Sequence, residues 1–259
     1  MKKAIVAVLV AVLLTTGLLV GCVGVLVTGS GNLKTEEMDF SEFTRVEVGS
    51  AFEVEITQSG SYSVSITADD NLFKHIEVSK EGETLKIGLK PRITFGSVTL
   101  KAKITMPQLR GLDLSGATRG TVSGFSSTEN VDLEVSGASS LDLVDISVGD
   151  VKSDISGASK VTGDITAGDA DFDVSGASTV QLEGSASDIV VDASGASRVK
   201  LAAFPVNNAD IKLSGASSGT VNLDGRLDAD LSGASKLEYI GEPTMGDINT
   251  SGASTLSKK

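Results

Sequence analysis

The residues able to do chemistry in this chain recur at a spacing instead of gathering in a motif. Ser-Gly-Ala begins eight times, at Ser115-Gly116, Ser136-Gly137, Ser156-Gly157, Ser175-Gly176, Ser194-Gly195, Ser214-Gly215, Ser232-Gly233 and Ser251-Gly252, at intervals of 18 to 21 residues. Two positions ahead of each serine stands a polar, mostly acidic residue: Asp113, Glu134, Asp154, Asp173, Asp192, Lys212, Asp230 and Asn249. A row of hydroxyls is nucleophilic only beside a base, and the single histidine, His75, lies outside the repeats, so no serine triad is expected. One histidine and one cysteine also cannot build a transition-metal cluster.

The carboxylates admit two other chemistries. Were the repeats stacked, Asp154, Asp173 and Asp192 would form a ladder that a hard cation such as calcium could bridge. Neighbours about 4.8 Å apart would otherwise repel by about 0.9 kcal/mol in water before salt screening, which a fold tolerates and Lys212 relieves. The repeats lack the Gly-Gly-x-Gly-x-Asp loops of calcium-binding solenoids, so the expectation is a solvent-facing acidic stripe with no metal. A carboxylate pair could instead cleave a glycoside. With no Trp and only Tyr62 and Tyr239, however, the chain has few platforms for stacking sugars. No catalytic residue and no cofactor are therefore assigned.

The elements that position these residues follow from the same alignment. One residue before the serine come Leu114, Val135, Ile155, Val174, Ala193, Leu213, Leu231 and Thr250. Three before it come Leu112, Leu133, Ser153, Phe172, Val191, Ile211, Ala229 and Ile248. This alternation predicts a short strand with one buried face. A second apolar column, five residues after the serine, holds Leu141, Val161, Val180, Val199, Leu237 and Leu256 and predicts another strand beyond the corner. Gly120 and Gly219 interrupt it, and the apolar residue is read two positions later, at Val122 and Val221. A unit of 19 or 20 residues is too short for a strand, a packed helix and their loops. It suits one coil of a β-solenoid, in which only neighbouring coils cover the backbone edges and apolar faces. The predicted class is all-β, with small corner residues where equivalent positions meet in register and glycine free to take a positive φ. The following serines, from Ser139 to Ser254 with Thr118 in the first unit, are expected to cap local backbone groups.

Ahead of the repeats the strands lengthen and lose regularity. Segments 44–48, 51–57, 61–67, 84–89 and 97–105 alternate as strands, and 69–76 suggests a helical turn. They are expected to open the same sheets as larger coils, with Val48-Gly49-Ser50-Ala51 as an imperfect corner. The predicted division is a leader over 1–21, an anchor and linker over 22–43, irregular coils over 44–110, the regular solenoid over 111–256 and a tail over 257–259.

The amino terminus has the pattern of an export signal. Met1-Lys2-Lys3 precedes the apolar run AIVAVLVAVLLTTGLLV, which ends at Gly21-Cys22. Leu19-Val20-Gly21-Cys22 resembles the bacterial lipoprotein lipobox, which implies acylation of Cys22, the one cysteine of the chain. The apolar stretch continues to Val27, about 24 residues from Ala4, so an uncleaved membrane helix is one alternative and simple secretion another. Either anchor leaves the body outside the cytoplasmic membrane. A formal net charge of −12 makes nucleic acid an unsuitable partner.

Gly29-Ser30-Gly31-Asn32, Thr44-Arg45-Val46-Glu47-Val48, Ala51-Phe52-Glu53-Val54, Leu85-Lys86-Ile87 and the serial Ser-Gly-Ala-Ser units together resemble the putative auto-transporter adhesin, head GIN domain family. The likeness spans about residues 28–256. It implies a right-handed parallel β-helix, frequently on a lipoprotein or secreted chain, and brings no catalytic residues with it. The resulting expectation is a membrane-anchored binding or structural module of the bacterial cell envelope. Its partner would be an envelope protein, a polysaccharide or a second copy of the chain; the alternative is a polysaccharide-active enzyme.

Overall fold

A computed structural model describes residues 26–92 and 94–259. The leader, Cys22 and the alternative membrane helix up to residue 25 fall outside the described residues, while the last two residues of that apolar stretch, Leu26–Val27, form a short strand paired with Thr94–Phe95. Among those described, no helix is long and apolar enough to cross a membrane.

From Gly111 onward every repeat contributes two strands. The strand ahead of each corner, such as Val151–Ile155, joins an 11-stranded sheet; the strand beyond it, such as Lys160–Thr166, joins a 12-stranded sheet. Each strand pairs in parallel with its equivalent one repeat away. The register agrees with the serine alignment: Ile155 lies opposite both Val135 and Val174, and Val174 lies opposite Ala193. Inward side chains of the two sheets meet in one apolar core that also includes the irregular amino-terminal strands. The chain is thus a β-solenoid, because a 19-residue unit with two half-buried strands can bury its apolar faces and satisfy its edges only by stacking.

Gly120 and Gly219 have a packing reason. A Cβ on Gly120 would lie 2.6 Å from Cδ1 of Leu114, and one on Gly219 would lie 3.0 Å from Leu237 and 3.4 Å from Leu213. A leucine side chain fills the space that Val or Leu occupies elsewhere in the column. Val122 and Val221 are not displaced; they occupy a second inward position that every coil has, opposite Leu143 and Leu201 respectively.

The amino-terminal strands enter the same two sheets, although not as the simple start of the winding. Arg45–Val48 and Glu53–Gln58 form a coil directly beneath Gly111–Leu114 and Arg119–Ser123. The chain then leaves, and Thr84–Leu89 and Leu100–Met106 pair in parallel with the other edge of that first coil. Ser63–Asp69 and Ile76–Glu81, joined by a short 3-10 helix over Asp70–His75, run antiparallel to these strands. Leu33–Met38 adds a further antiparallel strand. Parallel winding therefore ends in reversed strands. The outermost of them carries Lys34, Glu36 and Glu37, charges that discourage pairing of the edge with another chain.

Candidate functional site

The corners are built by a backbone ladder. Each corner glycine has φ between +69° and +77°, and from Gly116 to Gly233 its carbonyl accepts the N–H of the alanine one coil on. Ala196 donates to Gly176 at 2.7 Å and Ala216 to Gly195 at 2.8 Å. A Cβ on Gly195 would sit 2.5 Å from the Gly176 carbonyl oxygen, so glycine is required both by its φ and by the closeness of the coil below. The residue after the corner alanine, Thr118 in the first repeat and a serine from Ser139 to Ser235, points inward and is almost wholly buried, whereas Ser254 in the last repeat is only partly covered. Ser217 Oγ donates to the carbonyls of Ser214, at 2.7 Å, and Ala193, at 3.1 Å; Ser197 likewise serves Ser194 and Val174. Ser159 Oγ is buried without a hydrogen-bond partner. In the imperfect corner Ser50 and Ala51 take φ of 64° and 63°, and Ser50 Oγ accepts the N–H of Leu89 at 3.3 Å. The coil beneath has no corner at that point, which leaves room for a side chain where the repeats need glycine.

The acidic residues ahead of the corners share one outward face. Glu47, Asp113, Glu134, Asp154, Asp173, Asp192, Lys212, Asp230 and Asn249 are consecutive partners in register. Partial burial, then the charges of Asp154, Asp192 and Asp171, push the Asp173 carboxyl above the usual carboxylate range. Burial, then Glu134 and Glu47, does the same to Asp113. At the foot of the column Lys86 bridges Glu81 at 3.0 Å and Glu47 at 3.2 Å, and these two partners raise its own pKa. Among the described residues no three or more His, Cys, Asp or Glu side chains converge on a possible metal position. Asp154, Asp173 and Asp192 are thus neighbours without forming a cage, because side chains in an in-register parallel column project side by side.

A second polar column went unread in the sequence. Asn130, Asp150, Asp169, Asp188 and Asn208 stand six residues before successive repeat serines, at the entry to the strand. Each side-chain oxygen accepts the backbone N–H of its successor. Asn130 receives Asp150 at 2.9 Å, Asp150 receives Asp169 at 2.9 Å, Asp169 receives Asp188 at 3.2 Å and Asp188 receives Asn208 at 3.1 Å. The first four of them, with Asp132, Lys152, Asp171 and Val190, line a shallow groove of about 370 Å³. Aligning the sequence six places ahead of the serine would have revealed them.

The Gly29-Ser30-Gly31-Asn32 segment is clamped by Asp69, Asp70 and Asn71, which the sequence reading had not singled out. The buried Asp69 carboxylate accepts the N–H of Gly31 at 2.7 Å and of Thr99 at 2.8 Å. Those two amides, Thr99 first, hold its pKa below the usual value. Ser30 Oγ donates to Asp70 at 2.6 Å, and Asn71 Oδ1 accepts the N–H of Ser30 at 3.1 Å. His75 packs edge-on against Phe95, with ring centres 6.0 Å apart, and lies on the 3-10 helix of the amino-terminal end.

A family model described as "Putative auto-transporter adhesin, head GIN domain" matches residues 42–243. No curated protein matches the sequence. Three crystal structures of low sequence identity share the fold. A "putative adhesin" from Parabacteroides distasonis is 18% identical, with a TM-score of 0.83 over 90% of this chain and 100% of its own. One from Parabacteroides merdae is 17% identical, with a TM-score of 0.81 over 90% and 99%. A "Putative lipid binding protein" from Parabacteroides distasonis is 16% identical, with a TM-score of 0.72 over 90% and 99%.

Proposed function

Because the chain belongs to the family of the putative auto-transporter adhesin head GIN domain, we propose that it is an extracytoplasmic binding module, held at the bacterial envelope through an anchor at Cys22. One observation carries the reading: outward side chains continue in register from coil to coil, so the surface repeats itself along the solenoid axis. A repeated surface engages a partner through many weak, similar contacts, and linked contacts raise avidity without a deep pocket. The acidic columns, Lys86 and the corner ledge of exposed glycine and alanine are all of this repeated or open kind.

A polysaccharide-active enzyme would set two carboxylates across a cleft from one another. The row from Asp154 to Asp192 occupies a single strand face, which favours binding over hydrolysis. Lipid binding, the property for which the third structural neighbour is named, would call for an apolar pocket of several hundred Å³. The void in the core beside Phe172 and Phe204 measures about 10 Å³.

The test is retention of envelope and matrix material by the full-length chain, immobilised through its carboxyl terminus, against an unrelated protein of equal negative charge. Selective retention supports the proposal. Equal retention by both proteins refutes specific recognition.

A further inference from the structure

Beyond the corners, the outward column of the 12-stranded sheet reads Arg119, Ser140, Lys160, Thr179, Arg198, Ser218, Lys236 and Thr255, each the register partner of the next. A cation and a hydroxyl alternate without exception through these eight coils. The four cations are exposed, and only Lys236 among them has an ion-pair partner among the described residues, Glu238 at 2.6 Å. Two coils separate successive cations by about 9.6 Å.

Repulsion does not demand this alternation. The 11-stranded sheet of the same coils tolerates Asp154, Asp173 and Asp192 in consecutive register. Nor does the negative net charge cancel the stripe. The two sheets are about 10 Å apart and their side chains extend outward from both, whereas charges are screened over about 8 Å at physiological ionic strength. On the same outward face the strands go on to Asp142, Glu183 and Glu238, so the cationic column is one side chain wide and is flanked by carboxylates. Beside the column run the exposed corner glycines and alanines, a ledge without long side chains, and beyond that ledge lies the acidic column of the other sheet. Near the middle, Lys200 adjoins Arg198 and, with Gln181, Glu183, Thr220 and Lys259, borders a shallow groove of about 310 Å³.

We propose that this stripe binds a linear acidic polysaccharide laid along the solenoid axis, in which a carboxylate-bearing sugar alternates with a neutral one. Carboxylates meet Arg119, Lys160, Arg198 and Lys236, while the intervening sugar hydroxyls meet Ser140, Thr179, Ser218 and Thr255. Sparse charge distinguishes this ligand from nucleic acid, whose closely spaced phosphates would also meet the carboxylates flanking the stripe. The inference rests on the binding-module reading and names its face and ligand class.

The experiment measures binding of the full-length chain, purified in mild detergent, to hyaluronan oligosaccharides, which carry one carboxylate per disaccharide. Polygalacturonate, dextran and single-stranded DNA are the comparisons. Hyaluronan is expected to bind best, to weaken with salt, and to lose about tenfold or more in affinity when Arg119, Lys160, Arg198 and Lys236 are all changed to Ser. Asp154→Asn with Asp173→Asn, on the opposite face, is expected to leave binding within about twofold, since it is screened from the stripe. All four cations are exposed, so an unchanged circular dichroism spectrum and melting temperature are required of the quadruple variant; four single variants replace it if it misfolds. Absence of hyaluronan binding, equal binding of DNA, or full affinity in the cation variants overturns the proposal. If envelope material is still retained selectively in any of those cases, the binding-module reading survives while this ligand assignment fails.

Discussion

Gly195→Ala tests the corner ladder at its centre. Alanine would have to adopt φ +73°, a left-handed conformation costing about 1–2 kcal/mol for a residue with a Cβ. That Cβ would also lie 2.5 Å from the Gly176 carbonyl oxygen and 3.1 Å from its nitrogen. These are backbone atoms held by the Ala196 hydrogen bond, so relief requires the coils to separate, at a further cost of about 1–3 kcal/mol typical of overpacking. The expected loss is about 2–5 kcal/mol. Gly124 supplies the control within the same molecule: its φ is +71°, but nothing lies within 4 Å of an added Cβ. Gly124→Ala should therefore cost only the conformational part, about 1–2 kcal/mol. Gly60, with open space and no left-handed φ, should tolerate alanine with almost no change or a gain of about 0.5 kcal/mol. The assay is urea unfolding of the three full-length variants followed by far-ultraviolet circular dichroism, comparing midpoints at equal slope. Equal destabilisation by Gly195→Ala and Gly124→Ala would refute the claim that close stacking, in addition to φ, selects glycine at the corners.

Other outcomes follow from the polar columns. The Asp173 pKa is raised, so its ionisation opposes folding: the penalty is absent below the unfolded value near 3.8, grows as pH rises towards the folded value and is complete above it. Asp173→Asn should raise the melting temperature at pH 7, and the difference from wild type should vanish near pH 3. Asp69 behaves oppositely. Its lowered pKa stabilises the clamp above about 3.8 and the contribution is lost as pH falls through the folded value. Amide resonances of Gly31 and Thr99 should accordingly shift together only below pH 3.8, and an independent shift of either would refute the shared carboxylate. Ser197→Ala should cost about 1 kcal/mol in chemical denaturation because its hydroxyl bonds two carbonyls, whereas Ser159→Ala should be neutral or slightly stabilising because that hydroxyl is buried unpaired. Asp169→Ala should cost about 0.5–1.5 kcal/mol through loss of the acceptor for the Asp188 amide, and Asp169→Asn should retain most of it.

The repeat interval and the alternation around each serine predict two or three short strands per unit, with the buried faces and register of the two beside the corner; the structure has two. Period two in side-chain direction and a period near 19 in chain length leave one economical way to cover every apolar column, which is to wind and stack. The corner glycines were legible for the same reason: an in-register corner has no room for a side chain. Three features were decided only by tertiary structure. The amino-terminal strands reverse and stack out of chain order, because Ser63–Asp69 and Leu100–Met106 meet through pairing across a long separation that local alternation does not encode. Gly120 and Gly219 yield their places to Leu114 and Leu213, a matter of volume between non-adjacent residues. Finally, the alternating cations from Arg119 to Lys236 become a continuous stripe only when coils about 20 residues apart in the chain lie against one another, since a charge column exists in space and not along the backbone.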